Sequence, residues 1–251
     1  MKLTLKAFLQ PILSFFLGGE LCICCGEFSF YVPLCKTCIQ KRLLTWEPSF
    51  SKLNERLRCK VCGNILVSEE EICFKCRSDC LFKNTDKIFP IHTYRLWKKN
   101  LLFLWKSSEM RHLSIYFADL INKVIESEFY CEKKIPLVPV PPRFGKIYKK
   151  GWDQIAEICF LLEKKYGFTI LNLLERTTIQ QQKKLDRNHR LENLGSAYKI
   201  KKQVLGKIKI PSTVILIDDV ITTGVTVETC ASVLKSIGIK TVYVVSLFSV
   251  S

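Results

Sequence analysis

The C-terminal third of the chain combines an unbroken apolar run, a polar loop and a helical repeat. Residues 214–217 are all β-branched or aliphatic, and Asp218 and Asp219 come directly after them. Such a run is typical of a strand buried on both faces of a parallel sheet. Apolar residues then recur at helical spacing until Gly238, at Val227, Cys230, Ala231, Leu234 and Ile237. The pattern predicts a strand, a loop and a helix, which is the repeating unit of an α/β domain.

A second strand-like stretch, residues 135–140, runs into Pro141 and Pro142 and then into a basic tract. Cationic groups of this kind suit a diphosphate ligand, whose charge they neutralise. The alternative is a plain basic surface. The basic residues of the tract are Arg143, Lys146, Lys149 and Lys150.

The first twenty residues hold a short apolar segment, residues 7–17, preceded by Lys2 and Lys6 and interrupted by Gln10 and Pro11. The segment is too short to span a bilayer. We expect an amphipathic segment that packs on the protein or contacts a membrane surface. An uncleaved signal sequence is the alternative, since no small-x-small cleavage site follows.

Residues 20–80 contain ten of the 13 cysteines, most of them in Cys-x-x-Cys pairs that form an internal repeat. Two such pairs on a hairpin bring four thiolates to one tetrahedral ion, so the repeat predicts two structural Zn²⁺ sites with no open position for catalysis. An iron–sulfur cluster is the alternative. Gly26 and Gly63 suit the left-handed turn of a metal knuckle. The predicted ligands are Cys22, Cys25, Cys35, Cys38, Cys59, Cys62, Cys73 and Cys76.

Two questions about these cysteines stay open in the sequence. The pairs can close locally or interleave, and Cys24 can replace Cys22 as a ligand. Three further cysteines fit ordinary buried thiols: Cys131, Cys159 and Cys230. Paired cysteines favour metal over disulfides, and hence a reducing cytoplasm.

The charge balance favours an anionic partner. The 251 residues carry a formal net charge of +16, and residues 143–209 alone hold 16 Lys and Arg against 6 Asp and Glu. Phosphate ligands, nucleic acid and lipid headgroups all fit this excess, whereas a solvated lysine-rich surface is the alternative. Charged residues make up 25% of the chain and the 11 Gly and 9 Pro total only 20 residues, so the composition favours a globular chain over a disordered or fibrous one.

The loop after the C-terminal strand has the composition of a phosphate site. Hydroxyls of Thr222, Thr223 and Thr226, backbone N–H groups around Gly224 and the positive end of the following helix would bind a 5′-phosphate. The two preceding acids, Asp218 and Asp219, would hold the vicinal hydroxyls of a ribose and are the candidate catalytic residues. This site would lie at the carboxyl end of the strand, where open α/β sheets bind ligands.

Residues 214–226 resemble the thirteen-residue phosphoribosyl-pyrophosphate motif of the type I phosphoribosyltransferases. The resemblance implies that the loop after the first core strand, with Arg143, Lys146, Lys149 and Lys150, contacts pyrophosphate. Mg²⁺ would then arrive with the diphosphate and keep Asp218 or Asp219 in its outer shell. Displacement at the anomeric carbon needs no protein nucleophile, because Mg²⁺ and basic groups draw off pyrophosphate.

Nearly the whole chain resembles the ComF family, which joins a double zinc ribbon to a type I phosphoribosyltransferase domain. Gly151 and Gln154 match the family's Arg-Gly-Phe-Asn-Gln run, with departures at Lys150, Trp152 and Asp153, and Tyr94 and Lys106 also match. The family's spaced pattern over the basic stretch, which implies a hood over the ribose-phosphate site, is met by Arg176, Gln182, Leu185, Arg190, Asn193, Ala197 and Tyr198.

The resemblance implies an α/β fold in which helices flank a type I phosphoribosyltransferase-like parallel sheet. We expect an N-terminal segment over residues 1–20, a double zinc-ribbon module over 21–82 and the sheet domain over 83–251.

The expected function is binding of phosphoribosyl pyrophosphate or a nucleotide in a bacterial cytoplasmic protein linked to DNA uptake in natural transformation. Whether the protein is a phosphoribosyltransferase stays open, since no residue identifies an acceptor. The alternative is a catalytically silent adaptor that binds single-stranded DNA or DNA-uptake proteins, with contact to the inner face of the membrane left open.

Overall fold

The computed structural model describes residues 19–30, 32–44, 58–66, 68–78, 81–94, 97–129, 135–142, 151–177, 197–204, 206 and 208–250. At its N-terminal side are two small cysteine hairpins. The first pairs β1 (Gly19–Leu21) with β2 (Phe28–Phe30) in antiparallel fashion and continues into the short helix α1 (Lys36–Cys38) and a π-helical turn, Ile39–Leu44. The second is closed by an antiparallel bridge between Arg58 and Ile65 and carries α2 (Phe74–Ser78).

A four-stranded parallel sheet forms the centre of the molecule. In space the strands follow the order β3 (Lys87–Thr93), β8 (Thr241–Ser249), β7 (Thr213–Ile221) and β4 (Leu137–Pro139). All three pairings are parallel. This sheet and its flanking helices confirm the predicted α/β fold class.

Side chains of β7 alternate between the two faces of the sheet, as the pleat requires. Ile215 and Ile217 face a layer of three helices: α3 (Trp97–Lys106), α4 (Leu113–Glu128) and α5 (Gln154–Tyr166). Val214 and Leu216 face the opposite layer. All four side chains are fully buried, which explains why the run is apolar without interruption.

The opposite layer holds helix α6 (Val225–Lys235) and an antiparallel hairpin of β5 (Leu174–Arg176) and β6 (Tyr198–Ile200). Tyr198 and Leu174 join the same apolar cluster as Cys230 of α6. The hairpin therefore packs against the face of the sheet that carries α6, and its open end leads toward residues 178–196, which lie outside the described part of the chain.

Residue types at the helix ends account for where two helices begin and stop. Asp153 precedes α5, and its carboxylate accepts a hydrogen bond from the backbone N–H of Ile155 at 3.3 Å. Gly167 ends α5 with a φ of +74°, the left-handed geometry that glycine adopts without steric cost.

None of the described helices is long and apolar enough to cross a membrane. The apolar segment predicted over residues 1–20 lies almost wholly outside the described residues.

Candidate functional site

The central strand β7 carries both candidate acids to its carboxyl end. Strand β7 continues past both acids to Ile221 and pairs with β8 as far as Ser249. The phosphate loop is consequently short, residues 222–224, and helix α6 begins at Val225.

The two acids lie on different faces of the strand. Asp218 is 7% exposed on the α6 face, and its Oδ1 accepts a hydrogen bond from the backbone N–H of Asp219 at 2.8 Å. Asp219 faces the other helical layer, where Lys106 at the end of α3 places Nζ 2.5 Å from Asp219 Oδ2. Asp219 is thus held by a cation, whereas Asp218 is held by backbone.

The loop presents hydroxyls and a helix N-terminus together. Thr222 and Thr223 are exposed, and Thr226 in the first turn of α6 is half-buried. Gly224 precedes α6 with a φ of +89°, and its carbonyl accepts the backbone N–H of Glu228 at 3.0 Å. Helix α6 therefore starts directly at the loop, with its positive end turned toward the exposed threonines.

The β5–β6 hairpin covers the α6 side of this loop. The Arg176 guanidinium lies 5.3 Å from the ring centroid of Tyr198, within the range of a cation–π contact. Burial raises the pKa of Tyr198, against the opposing influence of Arg176, and the Thr226 side chain hydrogen-bonds to the Tyr198 hydroxyl. The hairpin thus joins a neutral phenol and a cation to the loop.

Cys230 in α6 lies beneath the site rather than in it. The thiol is fully buried. Burial, reinforced by the nearby charge of Asp218, raises the pKa of Cys230 far above its usual range. A thiol that stays protonated is a poor nucleophile, so Cys230 fills the core, as the sequence predicted.

The predicted pyrophosphate contacts are outside the described residues: Arg143, Lys146, Lys149 and Lys150. What the structure does place is the start of that loop. The backbone N–H of Val140 donates to Ile217 O at 3.0 Å, one residue before Asp218. Val140, directly after β4, therefore lies beside the part of β7 that leads into the two acids.

The cysteine hairpins each gather four thiols. The sulfur atoms of Cys22, Cys25, Cys35 and Cys38 lie within 4.8 Å of one another, and those of Cys59, Cys62, Cys73 and Cys76 do the same. Pairing is therefore local within each hairpin, and Cys22 rather than Cys24 completes the first set. We call these sets the first and second tetrads.

The spacing of the sulfurs fits one metal ion per tetrad. Cys25 Sγ and Cys35 Sγ are 3.6 Å apart, and Cys62 Sγ and Cys73 Sγ are 3.7 Å apart. Four thiolates around a tetrahedral Zn²⁺ lie about 3.8 Å from each other, given Zn–S bonds of about 2.3 Å. A cluster of several irons would hold the same thiolates farther apart, because the cluster lies between them. Each tetrad could therefore hold Zn²⁺.

The two knuckles repeat the same backbone geometry. Gly26 and Gly63 have φ values of +73° and +70°, as predicted. Burial disfavours the thiolate of Cys22, but hydrogen bonds from surrounding backbone N–H groups outweigh it and lower the pKa of Cys22 to about 6. The same balance lowers the pKa of Cys59 to about 7. The leading cysteine of each tetrad is thus prepared to bind metal as a thiolate.

Three contacts between the candidate site and distant parts of the chain were not predicted from the sequence. Lys106 matched a family position but gave no sign of pairing with Asp219. Glu228 was not singled out, although its carboxylate accepts five hydrogen bonds from residues 83–85. Phe82, which packs against Gly224, was also missed. These contacts join segments far apart in the chain, so no local sequence pattern predicts them.

Comparison with known proteins gives one relative of note. The chain is 25% identical over 197 residues to competence protein ComFC of Streptococcus pneumoniae strain R6, a match that covers 77% of this chain and 82% of that protein. No family model matches the chain. This similarity, together with the two cysteine tetrads, confirms the resemblance to the ComF family.

Proposed function

We propose that the protein binds phosphoribosyl pyrophosphate or a nucleotide at the carboxyl end of β7 and acts in DNA uptake during natural transformation. The observation that carries the ligand is that β7 brings Asp218 and Asp219 just ahead of the exposed threonine loop, at the positive end of α6. Support for the biological role comes from the name of the relative, competence protein ComFC.

Asp218 and Asp219 would contribute unequally to binding the ribose hydroxyls. Asp218 is 7% exposed and already accepts a backbone hydrogen bond, so its carboxylate is less available to a ligand. Asp219 is the more accessible carboxylate, and its ion pair with Lys106 orients it. We therefore assign the ribose hydroxyls chiefly to Asp219, and the 5′-phosphate to Thr222, Thr223, Thr226 and the backbone around Gly224.

Mg²⁺ would enter with the diphosphate rather than before it. Lys106 lies 2.5 Å from Asp219 Oδ2 and neutralises the carboxylate that a free cation would need. The diphosphate brings its own oxygen ligands, which Mg²⁺ prefers, along with retained waters. Arg143, Lys146, Lys149 and Lys150 are assigned to the diphosphate from the sequence, as part of this proposal.

The chemistry available to such a site is transfer of a phosphoribosyl group. The C1–O bond to pyrophosphate breaks, the leaving group takes the electron pair, and an acceptor nucleophile forms the new bond at C1. The protein's share is to hold the ribose and phosphate in place and to neutralise the leaving group with its cations. The described residues present no base placed for an acceptor, so catalysis is a further step of this proposal.

Isothermal titration calorimetry tests the ligand. Phosphoribosyl pyrophosphate with Mg²⁺ is titrated into zinc-loaded protein, and into an Asp218→Ala/Asp219→Ala variant. Asp119→Asn is the matched control, because Asp119 is a carboxylate in α4 that pairs with Lys165 away from the loop. Binding that the double variant loses and Asp119→Asn keeps supports the proposal; absence of binding to the folded wild-type protein refutes it.

A second candidate function is binding of single-stranded DNA by the second hairpin. Phe74 in α2 is 72% exposed, and its neighbours Lys75 and Arg77 are exposed as well. An exposed aromatic ring between cations suits stacking on a base with a phosphate alongside. Fluorescence anisotropy with a labelled oligonucleotide tests this idea at several salt concentrations.

Two variants distinguish the two candidate functions. Phe74→Ala should weaken DNA binding and leave calorimetric binding of phosphoribosyl pyrophosphate in place, whereas Asp218→Ala/Asp219→Ala should do the reverse. If both ligands fail to bind the wild-type protein, an adaptor that recognises DNA-uptake proteins is the remaining hypothesis from the sequence.

A further inference from the structure

The segment that leaves the second cysteine hairpin reaches the phosphate loop. We call residues 81–85 the connecting segment, since they lie between the second tetrad and β3. A Cβ atom added to Gly224 would lie 2.3 Å from Phe82 Cζ and 3.5 Å from Leu81 Cδ2. The Phe82 ring therefore lies directly against the backbone of the loop, at the residue immediately before α6.

Phe82 touches two separate apolar clusters. One is the small cluster of the second hairpin, formed by Cys59, Leu66 and Cys76. The other is the cluster on the α6 face of the sheet, which includes Val227. One half-buried ring thus joins the cluster that contains two cysteines of the second tetrad to the cluster that contains Val227.

Glu228, in the first turn of α6, clamps the connecting segment from the other side. Its carboxylate accepts the backbone N–H groups of Lys83 at 2.9 Å, Asn84 at 2.7 Å and Thr85 at 3.1 Å. The side chains of Asn84 and Thr85 donate to it at 2.8 and 2.9 Å. The carboxylate is thereby fully engaged with the segment, and the helix end beside it is held in one position.

The second hairpin is itself fixed to the edge of the sheet. A Cβ atom at Gly63 would lie 2.2 Å from Ile88 O in β3, so the knuckle lies flat on that strand. Arg58 Nη1 donates to Pro90 O at 3.3 Å, and Ser249 Oγ donates to Asn64 Oδ1 at 2.7 Å. The second hairpin is therefore held against β3 and β8 by direct contacts.

The first hairpin packs elsewhere. Leu34 belongs to the apolar cluster of the α3–α5 layer, and Val32 and Ile39 pack against that cluster. Glu20 Oε1 lies 2.7 Å from His112 Nδ1, which precedes α4. The first tetrad thus lies on the face of the sheet opposite α6. Variants of the first tetrad can therefore be compared with variants of the second.

We propose that Phe82 and Glu228 are positioning residues, through which the folded second tetrad holds the phosphate loop in its binding conformation. The inference rests on the proposed phosphoribosyl site. Its consequence is that affinity at the loop depends on the second tetrad and much less on the first. If loss of the Phe82 contact leaves only one molecule in ten with a competent loop, the apparent Kd rises about tenfold.

Phe82→Ala is the decisive variant, with Phe160→Ala as its matched control. Phe160 is 56% exposed on α5 and remote from the loop in the fold. Phe82→Met serves as a rescue, because an unbranched side chain of similar reach refills the gap. Two readouts are taken on zinc-loaded protein: amide hydrogen exchange of residues 222–227 without ligand, and the calorimetric Kd for phosphoribosyl pyrophosphate with Mg²⁺.

The expected result is faster exchange over residues 222–227 and a roughly tenfold weaker Kd in Phe82→Ala, with both largely restored in Phe82→Met. Phe160→Ala should match the wild-type protein. Unchanged loop exchange together with unchanged Kd in Phe82→Ala overturns the inference. If the wild-type protein binds no phosphoribosyl ligand, the proposed function fails and loop exchange alone decides whether Phe82 positions the loop.

Matched cysteine variants extend the test to the tetrads. Cys76→Ser removes a ligand of the second tetrad and Cys38→Ser the equivalent ligand of the first. We expect Cys76→Ser to speed exchange over residues 222–227 and Cys38→Ser to leave it near the wild-type rate. Equal effects from both variants would contradict the dependence on the second tetrad.

Discussion

Lys106 and Asp219 form an ion pair at the carboxyl end of β7, with 2.5 Å between Nζ and Oδ2. Only 27% and 17% of the two side chains are exposed. The pair joins the last turn of α3 to the strand that carries both candidate acids. Because water reaches these charges poorly, removal of one partner leaves the other short of solvation.

We expect Lys106→Met to lower the free energy of unfolding by about 1–2 kcal/mol, between the values typical of exposed and of fully buried pairs. Asp219→Asn should have a similar cost, and the double variant should cost less than the sum because neither charge is then stranded. Urea denaturation of the four proteins at neutral pH measures this coupling.

The more exposed ion pair between Lys165 and Asp119 serves as a comparison for the Lys106–Asp219 double-mutant cycle. Lys165 Nζ lies 2.8 Å from Asp119 Oδ1, but these side chains are 48% and 38% exposed. Lys165→Met should therefore cost under about 1 kcal/mol. If Lys106→Met costs no more than Lys165→Met, burial does not strengthen the Lys106–Asp219 pair.

The tetrads predict how zinc content responds to single cysteine changes. Cys22 belongs to the first tetrad, whereas its neighbour Cys24 packs against the helical layer of the core. Cys22→Ser should lose one of two bound zinc ions, and Cys24→Ser should keep both. Elemental analysis of protein purified with zinc gives the stoichiometry. Loss of zinc in Cys24→Ser alone would show that the other register is the true one.

The sequence predicted the parts of the fold whose signals are local. The continuous apolar run of β7, the helical repeat of α6 and the duplicated Cys-x-x-Cys pairs each have a physical period or spacing that few other structures share. Gly26 and Gly63 could be assigned to left-handed turns because a metal knuckle requires them.

What the sequence could not show depends on how distant segments dock. The Glu228 carboxylate accepts a hydrogen bond from the backbone N–H of Lys83, 145 positions earlier in the chain. The sequence around neither residue predicts that contact. The same holds for Lys106 and Asp219. The extension of β7 to Ile221 has a related cause, since acidic residues disfavour strands locally and pairing with β8 continues the strand through them.

Gly224→Ala should destabilise the protein by two separate mechanisms. An alanine at a φ of +89° is strained by about 1–2 kcal/mol, and its Cβ would lie 2.3 Å from Phe82 Cζ. Overpacking of this kind adds about 1–3 kcal/mol. In a Phe82→Ala background only the backbone strain should remain, so urea denaturation of the single and double variants separates the two costs.

Gly167→Ala provides the reference for strain alone. Gly167 has a φ of +74°, and an added Cβ would meet nothing within 4 Å. Its substitution should cost about 1–2 kcal/mol, less than Gly224→Ala. Equal costs at the two glycines would mean that Phe82 yields freely and does not brace the loop.

The buried phenol of Tyr198 should make stability fall in alkali. Burial raises the pKa of Tyr198 above its ordinary value, although Arg176 opposes the shift. As the pH rises past about 10, the unfolded chain releases the phenolic proton while the folded protein retains it. The unfolded state then binds fewer protons, so the free energy of unfolding declines with pH, by at most about 1.4 kcal/mol per pH unit for one group.

Tyr198→Phe removes this contribution and keeps the ring. Below the ordinary pKa of tyrosine, the pH dependence of unfolding should be the same for the variant and the wild-type protein, because Tyr198 is neutral in both states there. Above it, the wild-type curve should fall more steeply. Urea denaturation from pH 8 to about 11, with absorbance titration of the tyrosines, measures both. Parallel curves over the whole range would show that Tyr198 ionises in the folded protein as readily as in the unfolded chain, which contradicts its burial beneath Arg176.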